Sequence, residues 1–164
     1  MAFDAFMKID GIDGESTDAK HKDEIEILSY SWGLSNSSSA AGGGGGGAGK
    51  VQFQDFHFVS SLQKSSPKLF LGVATGEHFK KAVLTVRKSG GDGQSQDYYK
   101  VTMQDVVISS FQQSGTPDGG GDVPMEEISL NFSKITMDYR QQNADGTLGD
   151  PVIATWDLKK NKGA

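Results

Sequence analysis

The stretch KAVLTVRKSGGDGQSQDYYKVTMQDVVISSF, residues 81–111, decides the fold class. Residues 82–87 alternate between two faces with the period of a strand that is buried on one side. The glycine-rich segment 89–93 interrupts this pattern, and strand-like sequence resumes over residues 98–111. Two such strands around a short turn predict a β-hairpin.

The same period recurs along most of the chain, at residues 3–10, 128–132 and 152–158. At residues 3–10 it places Ala5 and Met7 on one face and Phe6 on the other. We therefore predict a mainly β fold.

Two of the predicted strands change phase part-way along. Apolar side chains are odd-numbered at 51–53 and even-numbered at 56–58, and a similar switch separates 128–132 from 135–139. One inserted residue swaps the face that every later side chain meets. Each phase change predicts either a β-bulge that bends the strand, as a closing barrel requires, or a strand that moves from one sheet to another.

One short helix is predicted between the strands. Ser66 supplies the side-chain oxygen of an N-cap, Pro67 suits the first helical position, and Gly76 supplies a left-handed stop. The apolar stripe of this helix consists of Leu69, Phe70 and Val73.

The composition limits the classes of protein that fit. A chain of 164 residues suits one domain, residues 1–164, and a net charge of -5 gives no positive field for nucleic acid. The absence of cysteine excludes disulfide scaffolds and thiol chemistry. No stretch approaches the roughly 20 apolar residues of a membrane helix, and the N-terminus lacks the apolar centre of a secretory signal. We expect neither membrane insertion nor a nucleic-acid partner.

A long Gly/Ser loop is predicted at residues 35–50. Such a loop brings no apolar surface to offset the entropy lost on ordering. Gly44 to Lys50 matches the spacing of a phosphate-binding loop, but Val51 stands where a hydroxyl should bind Mg²⁺ and a helix should begin. We therefore predict a solvent-exposed loop without a nucleotide.

No catalytic or metal-binding set is apparent in the sequence. His21, His57 and His78 are far apart and lack metal-ligand spacing, and His57 is expected to point to solvent or an interface. Glu126 and Glu127 are adjacent, so in a strand they point to opposite faces, and both are interpreted as solvated charges. No nucleophile motif is present, so we predict that the chain is not an enzyme and has no cofactor.

The strand at residues 24–33 has no cleanly polar face. This pattern indicates a strand between the core and a second protein surface. Trp32 and Trp156 are both predicted to anchor the core.

A set of short sequence motifs, in a fixed order, is spread along nearly the whole chain. It consists of Gly14-Glu15-Ser16, Asp18, His21, Glu24-Ile25, Ser31-Trp32-Gly33, Gly49-Lys50-Val51, Ser66-Pro67, Leu69, residues 84–88, Ser109-Ser110, Leu130-Asn131-Phe132 and Asp138-Tyr139. As a set, these residues resemble the haemolysin-coregulated protein (Hcp) family, the inner-tube subunits of type VI secretion systems.

The resemblance implies a two-sheet β-barrel with one short α-helix, assembled as a hexameric ring. Stacked rings would form a tube in the cytoplasm of a Gram-negative bacterium, inside a contractile sheath and behind a spike. Contraction would export the tube without a signal peptide, and the lumen would carry small effector proteins. A barrel of this size is filled by its own side chains, so a protein-sized channel needs several subunits around an axis.

The resemblance also assigns two candidate sites. Ser31 is the candidate lumen and effector contact, because its strand runs along the inside of the ring in the family, while Tyr30 and Trp32 would face the core. A merely packed or interfacial serine is the alternative. The ring-stacking candidates are the glycines and the lysine of the long loop, Gly42, Gly43, Gly44, Gly45, Gly46, Gly47, Gly49 and Lys50.

Two other functions remain open at the level of sequence. A phage-tail-type tube protein of another contractile particle would share the architecture but not the export of effectors. A secreted ligand-binding β-barrel or enzyme would require a pocket or paired catalytic side chains.

Replacing residues 38–48 by a short Gly-Ser link should leave the domain folded, because loop length changes the closure entropy only slowly. Tube formation and secretion should fail. Thermal unfolding checks the first outcome and a secretion assay the second. Normal secretion would show that the loop has no essential axial role.

Overall fold

The computed structural model describes residues 3–37, 50–89, 94–119, 121 and 123–163. Within these residues the chain forms twelve strands and one helix, which confirms a mainly β fold with one short helix. The elements are β1 (Asp4–Ile9), β2 (Ile25–Glu26), β3 (Ser29–Ser31), β4 (Leu34–Asn36), β5 (Val51–Phe53), β6 (Phe56–Ser61), α1 (Ser66–Thr75), β7 (His78–Ser89), β8 (Ser95–Ser114), β9 (Met125–Asn131), β10 (Lys134–Gln142), β11 (Leu148–Asp157) and β12 (Lys162–Gly163).

Strands β7 and β8 form the predicted hairpin at the centre of the fold. They pair antiparallel, with Leu84 opposite Val101 and Ala82 opposite Met103. All four side chains are fully buried. Burial of a Leu, Val or Met side chain contributes about 1.5–3 kcal/mol, so this hairpin supplies a large part of the core.

Strand β8 spans 20 residues and joins two branches of one ten-stranded sheet. Its first half lies in the branch ordered β12-β11-β10-β8-β7-β1-β2, which we call the first sheet. From Val107 onward β8 pairs with β9, which is followed by β6 and β3 in the other branch, which we call the second sheet. Asp105 marks the junction: its φ is 53°, in the left-handed region, and the ladder with β7 omits it. This irregularity bends one continuous strand from the first sheet into the second.

The segment from Ile25 to Ser31 joins the two sheets on the side opposite β8. Its first part, β2, pairs with β1, and its last part, β3, pairs with β6. Between them the Ile27 N–H donates to the Ala5 carbonyl (3.0 Å) and the Leu28 N–H to the Val59 carbonyl (2.8 Å). The two sheets therefore pack around one core.

At each predicted phase change, the strand before the change and the strand after it have different pairing partners. Residues 51–53 form β5, which pairs with β4 in a separate two-stranded sheet, whereas β6 joins the second sheet. At the second phase change β9 and β10 both pair with β8. The outer neighbour of β9 is β6, however, and that of β10 is β11.

The helix begins at Ser66, one residue earlier than predicted from the sequence. The N-cap is Ser65 rather than Ser66, and the Ser66 Oγ instead accepts a hydrogen bond from the Gln63 N–H (3.0 Å). Pro67 lies in the first turn, and Gly76 ends the helix with a φ of 67°, as predicted.

The predicted apolar stripe of α1 is only partly correct. Leu69 is fully buried and Val73 packs against the core, whereas Phe70 is 60% exposed. The closest approach to the sheets is at Gly72, where an added Cβ would lie 3.0 Å from Ile108 Cδ1. A narrow contact of this kind buries one side of the helix and leaves Phe70 outside it.

Phe6 is buried although the alternation of β1 placed it on the solvent side. Its exposed fraction is 2%, because residues 10–24 fold over the outer face of β1. The His21 ring stacks on Phe6 with centroids 4.5 Å apart, and the Arg87 guanidinium lies 4.8 Å from the Phe6 centroid. The covering segment folds back on itself, and the Gly14 N–H donates to the Asp23 carbonyl (2.7 Å).

Gly14 has no room for a side chain, since an added Cβ would lie 2.5 Å from the backbone oxygen of Glu24. Gly14→Ala should therefore lower the free energy of unfolding by about 1–3 kcal/mol, measured by urea denaturation. Gly33→Ala is the matched control, because its nearest contact is the flexible side chain of Gln54 at 3.5 Å. Equal losses in the two variants would contradict this account.

Candidate functional site

The outward face of the second sheet is the candidate functional site. Side chains that point into the barrel are buried and apolar, such as Phe56, Phe58 and Leu130. The outward side chains are mostly small or polar, with Val59, Val107 and Met125 as the apolar exceptions, and we call them the polar face. They are Ser29, Ser31, His57, Val59, Ser61, Val107, Ser110, Gln112, Ser114, Met125, Glu127, Ser129 and Asn131.

Ser31 is exposed and lies on the polar face at the edge strand β3. Tyr30 and Trp32 have the opposite parity and pack against the core. The Tyr30 ring stacks on Phe56 with centroids 5.9 Å apart. The structure therefore separates Ser31 from its two aromatic neighbours as the alternation predicts, and its contact with cargo stays a prediction.

His57 lies at the middle of the polar face and is half-buried. It is directly opposite Ser31 on one side and Ser129 on the other. Its Nδ1 is 3.2 Å from the Ser129 Oγ. Ser129 in turn lies opposite Ser110 of β8. The prediction that His57 faces away from the core is correct, but the sequence did not reveal this cross-strand row.

Asp55 holds one margin of the polar face in place. Its carboxylate accepts a hydrogen bond from the Ser109 Oγ (2.6 Å) and another from the Asn131 Nδ2 (2.9 Å). The β8–β9 ladder shifts register between Ile108 and Ser110, so Ser109 is the irregular residue. Asp55 thus ties the start of β6 to this irregularity and to the end of β9.

The predicted ring-stacking residues are divided between described and undescribed parts of the chain. Gly42, Gly43, Gly44, Gly45, Gly46, Gly47 and Gly49 lie outside the described residues. Lys50 is exposed and immediately precedes β5. Ser35 and Asn36, which the sequence placed in the loop, form β4 with Leu34 and pair with β5. The axial role of this segment stays a prediction.

A buried polar cluster around His21 was missed from the sequence. His21 is 5% exposed, with Nδ1 2.8 Å from the Glu24 Oε2 and Nε2 3.0 Å from the Asp97 Oδ1. The i, i+3 spacing of His21 and Glu24 was the available signal, but Asp97 is distant in sequence. The cluster fastens the segment 10–24 to the start of β8.

An ion pair between Arg87 and Asp18 links the segment 10–24 to β7. The Arg87 Nη2 lies 2.6 Å from the Asp18 Oδ2, and the Arg87 Nε lies 3.3 Å from the Asp4 Oδ2. The hydrogen bond from Arg87 lowers the pKa of Asp18 to about 2, and the bond to Asp18 raises the pKa of Arg87. These charges pair with one another, which indicates a structural role.

The two adjacent glutamates point to opposite faces as predicted, but only one is solvated. Glu127 is exposed on the polar face, whereas Glu126 is fully buried. The Glu126 Oε1 accepts a hydrogen bond from the Gln113 Nε2 at 3.2 Å. The expectation that Glu126 is a solvated charge was therefore wrong.

Two kinds of feature are absent from the described residues. No group of three or more His, Asp or Glu residues there is arranged to hold a metal ion. Among these same residues no helix has the length and apolar character needed to span a membrane.

The chain is similar in sequence to known proteins over nearly its whole length. A family profile described as "Type VI secretion system effector, Hcp" matches residues 6–139. Protein hcp1 of Pseudomonas aeruginosa is 43% identical over 162 residues, which is 98% of each chain. The chain belongs to the Hcp family.

Two solved structures extend this family assignment to the fold. A structure titled as a type six secretion system protein matches with a TM-score of 0.90 at 32% identity, covering 99% of this chain and all of that one. Hcp1 from Salmonella typhimurium matches with a TM-score of 0.80 at 35% identity over the full length of both chains. This Hcp family member is therefore a type VI secretion protein with the family fold.

Acid should destabilise this Hcp protein through two aspartates. Asp18 pairs with Arg87, and Asp105 with Lys159 (2.8 Å) and His78 (3.1 Å); these partners lower the pKa of each carboxyl from 3.8 to about 2. A depressed pKa in the folded state gives stability that is present above pH 3.8 and is lost as the pH falls through about 2.

The measurement is the free energy of unfolding between pH 5 and pH 2, roughly the window in which these carboxyls titrate. The doubly substituted Asp18→Asn, Asp105→Asn protein should be less stable at neutral pH and should lose less stability across this window. A decline equal to that of the wild type would contradict the assignment.

Proposed function

We propose that this chain is the structural, non-enzymatic subunit of the inner tube of a type VI secretion apparatus. The observation that supports this most is the polar face, a largely polar sheet surface whose side chains are exposed or half-buried in the single subunit. The interior of the barrel is filled by side chains such as Phe56, Phe58 and Leu84, which argues against a ligand-binding barrel. The channel therefore belongs to the assembly, with the polar face as its wall.

A ring of subunits needs two different contact surfaces on each copy. The second sheet offers two open edges that differ in sequence. One is β3, which pairs only with β6, and the other is β8 beyond Val107, which has β9 on one side. Residues 106–114 of β8 contain no charged residue and no proline, the usual devices that block an exposed edge. The two edges therefore suit neighbours around a ring, for which we propose six subunits.

The first sheet offers a second contact surface where it extends beyond the barrel. On β10 and β11, Met137, Tyr139 and Val152 continue the core-facing side of the sheet and are 39%, 42% and 72% exposed. Tyr139 lies directly opposite Val152. An apolar sheet face that continues from a core and lacks a cover is typical of a subunit interface. We assign this surface, which we call the wing face, to the neighbouring subunit.

The remaining parts of the assembly follow from the family. Rings stack through the segment between β4 and β5. The tube lies within a sheath and behind a spike protein. Contraction of the sheath exports the tube from the cytoplasm to the extracellular space or a target cell, with small effector proteins in the lumen. Ser31 on the polar face is then a contact for that cargo.

Val152→Asp should abolish ring formation, because it places a charge in the wing face. Ile153→Asp is the matched control: Ile153 lies on the opposite face of the same strand, directly across from Asp138. Sedimentation velocity over a range of concentrations measures the oligomer. A wild-type protein that stays monomeric throughout would reject the ring, and intact rings of Val152→Asp would reject the wing face as the contact.

Ser31→Gln should keep the ring and lower the yield of co-purified effector, because a long side chain would project from β3 into the channel. Effector recovery is compared with the wild type at equal ring concentration. Unchanged recovery would reject the cargo role, whereas loss of rings would place Ser31 at a subunit contact.

A further inference from the structure

Residues 10–24 cover the outer face of β1, and we call this segment the strap. Phe6, on that face, is buried beneath it. Backbone hydrogen bonds close the strap on itself: the N–H groups of Gly14 and Ser16 donate to the carbonyls of Asp23 and Glu24. Side chains in the second half of the strap make its contacts with β7 and β8.

His21 of the strap lies between two carboxylates. Its Nδ1 is 2.8 Å from the Glu24 Oε2, and its Nε2 is 3.0 and 3.1 Å from the two carboxylate oxygens of Asp97 in β8. The ring is buried and lies nearly parallel to the Phe6 ring, with 11° between the two planes. Stacking and burial fix the orientation of the imidazole, so both nitrogens face carboxylate oxygens at once. We call His21, Glu24 and Asp97 the latch.

The hydrogen bonds of the latch require two donors on one ring. An ionised carboxylate only accepts hydrogen bonds, and a neutral imidazole carries a single N–H. Neutral His21 can therefore donate to Glu24 or to Asp97 but not to both, and its other nitrogen would place a lone pair against a carboxylate oxygen. The imidazolium form has an N–H at each nitrogen and satisfies both carboxylates.

The other charged groups around the latch are engaged elsewhere. Asp18 of the strap accepts a hydrogen bond from the His21 backbone N–H (3.2 Å) and pairs with Arg87 of β7 (2.6 Å). Asp4 of β1 is a second partner of Arg87, at 3.3 Å. The Lys20 Nζ is directed to a backbone carbonyl at the start of β8. Because Arg87 already serves two carboxylates, the two carboxylates of the latch depend on His21 for a positive charge.

We propose that the latch is proton-dependent: His21 with both nitrogens protonated holds the strap closed over β1, and loss of one ring proton opens it. As the pH rises, one charge-assisted hydrogen bond is lost and a lone pair faces a carboxylate in its place. Opening uncovers Phe6 and the Arg87 guanidinium that lies 4.8 Å from its ring centroid. The two sheets stay folded, because the latch lies on the outer side of β1. This device belongs to the single subunit and does not rest on the proposed function.

Hydrogen–deuterium exchange of the strap amides, by rapid mixing at about pH 6 and about pH 8.5, tests this proposal, because imidazoles titrate near neutral pH. Protection is corrected for the intrinsic exchange rate at each pH, and the amides of β7 and β8 report global unfolding. In His21→Gln the side-chain amide has its donors on one atom, so it cannot donate to both carboxylates. In Asp97→Asn the new amide can donate to an unprotonated ring nitrogen. His57→Gln is the matched control, because it removes a half-buried imidazole on the second sheet.

Protection of the wild-type strap should fall at least about tenfold at the higher pH, the loss expected for one hydrogen bond to a charged group. The amides of β7 and β8 should not change. The strap of His21→Gln should be weakly protected at both pH values and that of Asp97→Asn well protected at both, while His57→Gln should behave like the wild type. The ring ¹⁵N signals of His21 should show two N–H groups at the lower pH and one at the higher.

Equal protection of the wild-type strap at the two pH values would overturn the inference. A fall in Asp97→Asn as large as in the wild type would do the same, and so would a His21→Gln strap as well protected as the wild type at the lower pH. An equal fall at the amides of β7 and β8 would also overturn it, because the opening would then be global unfolding.

Discussion

The bend of β8 at Asp105 is the constraint on which the rest of the structure depends. One strand of 20 residues supplies the centre of the first sheet and the edge of the second. Asp105 adopts a left-handed backbone, and Lys159 and His78 hold its carboxylate from two directions. Beyond this point, β8 fixes the direction of β9, which in turn positions β6 and β3. The orientation of the polar face is thus set by the turn of one strand.

The period-two alternation predicted most of the strands and the central hairpin, because the pattern depends only on which side of a strand is buried. It could not specify partners, which depend on contacts distant in sequence. The phase change before Phe56, for example, left a bulge and a change of sheets equally open, and the structure shows a change of sheets. The alternation placed Phe6 on the correct face of β1 but did not predict its burial, because no local pattern shows that residues 10–24 fold over it.

The candidate site was predictable in two respects. Parity separated Ser31 from Tyr30 and Trp32, and it turned His57 away from the core; the structure agrees with both. The alignment of Ser31 with His57, Ser129 and Ser110 depends on the register of four strands, which the sequence does not state. Similarly, Glu126 was interpreted as a solvated charge, yet its face of β9 points into the core.

These features share one consequence, that the polar face of the second sheet is the inner wall of a ring. Cryo-electron microscopy of the assembled protein at side-chain resolution tests this claim most directly. Density for His57 and Ser31 should border the central channel, and the neighbouring subunit should cover the wing face. A ring in which α1 or the outer side of the first sheet borders the channel would contradict it.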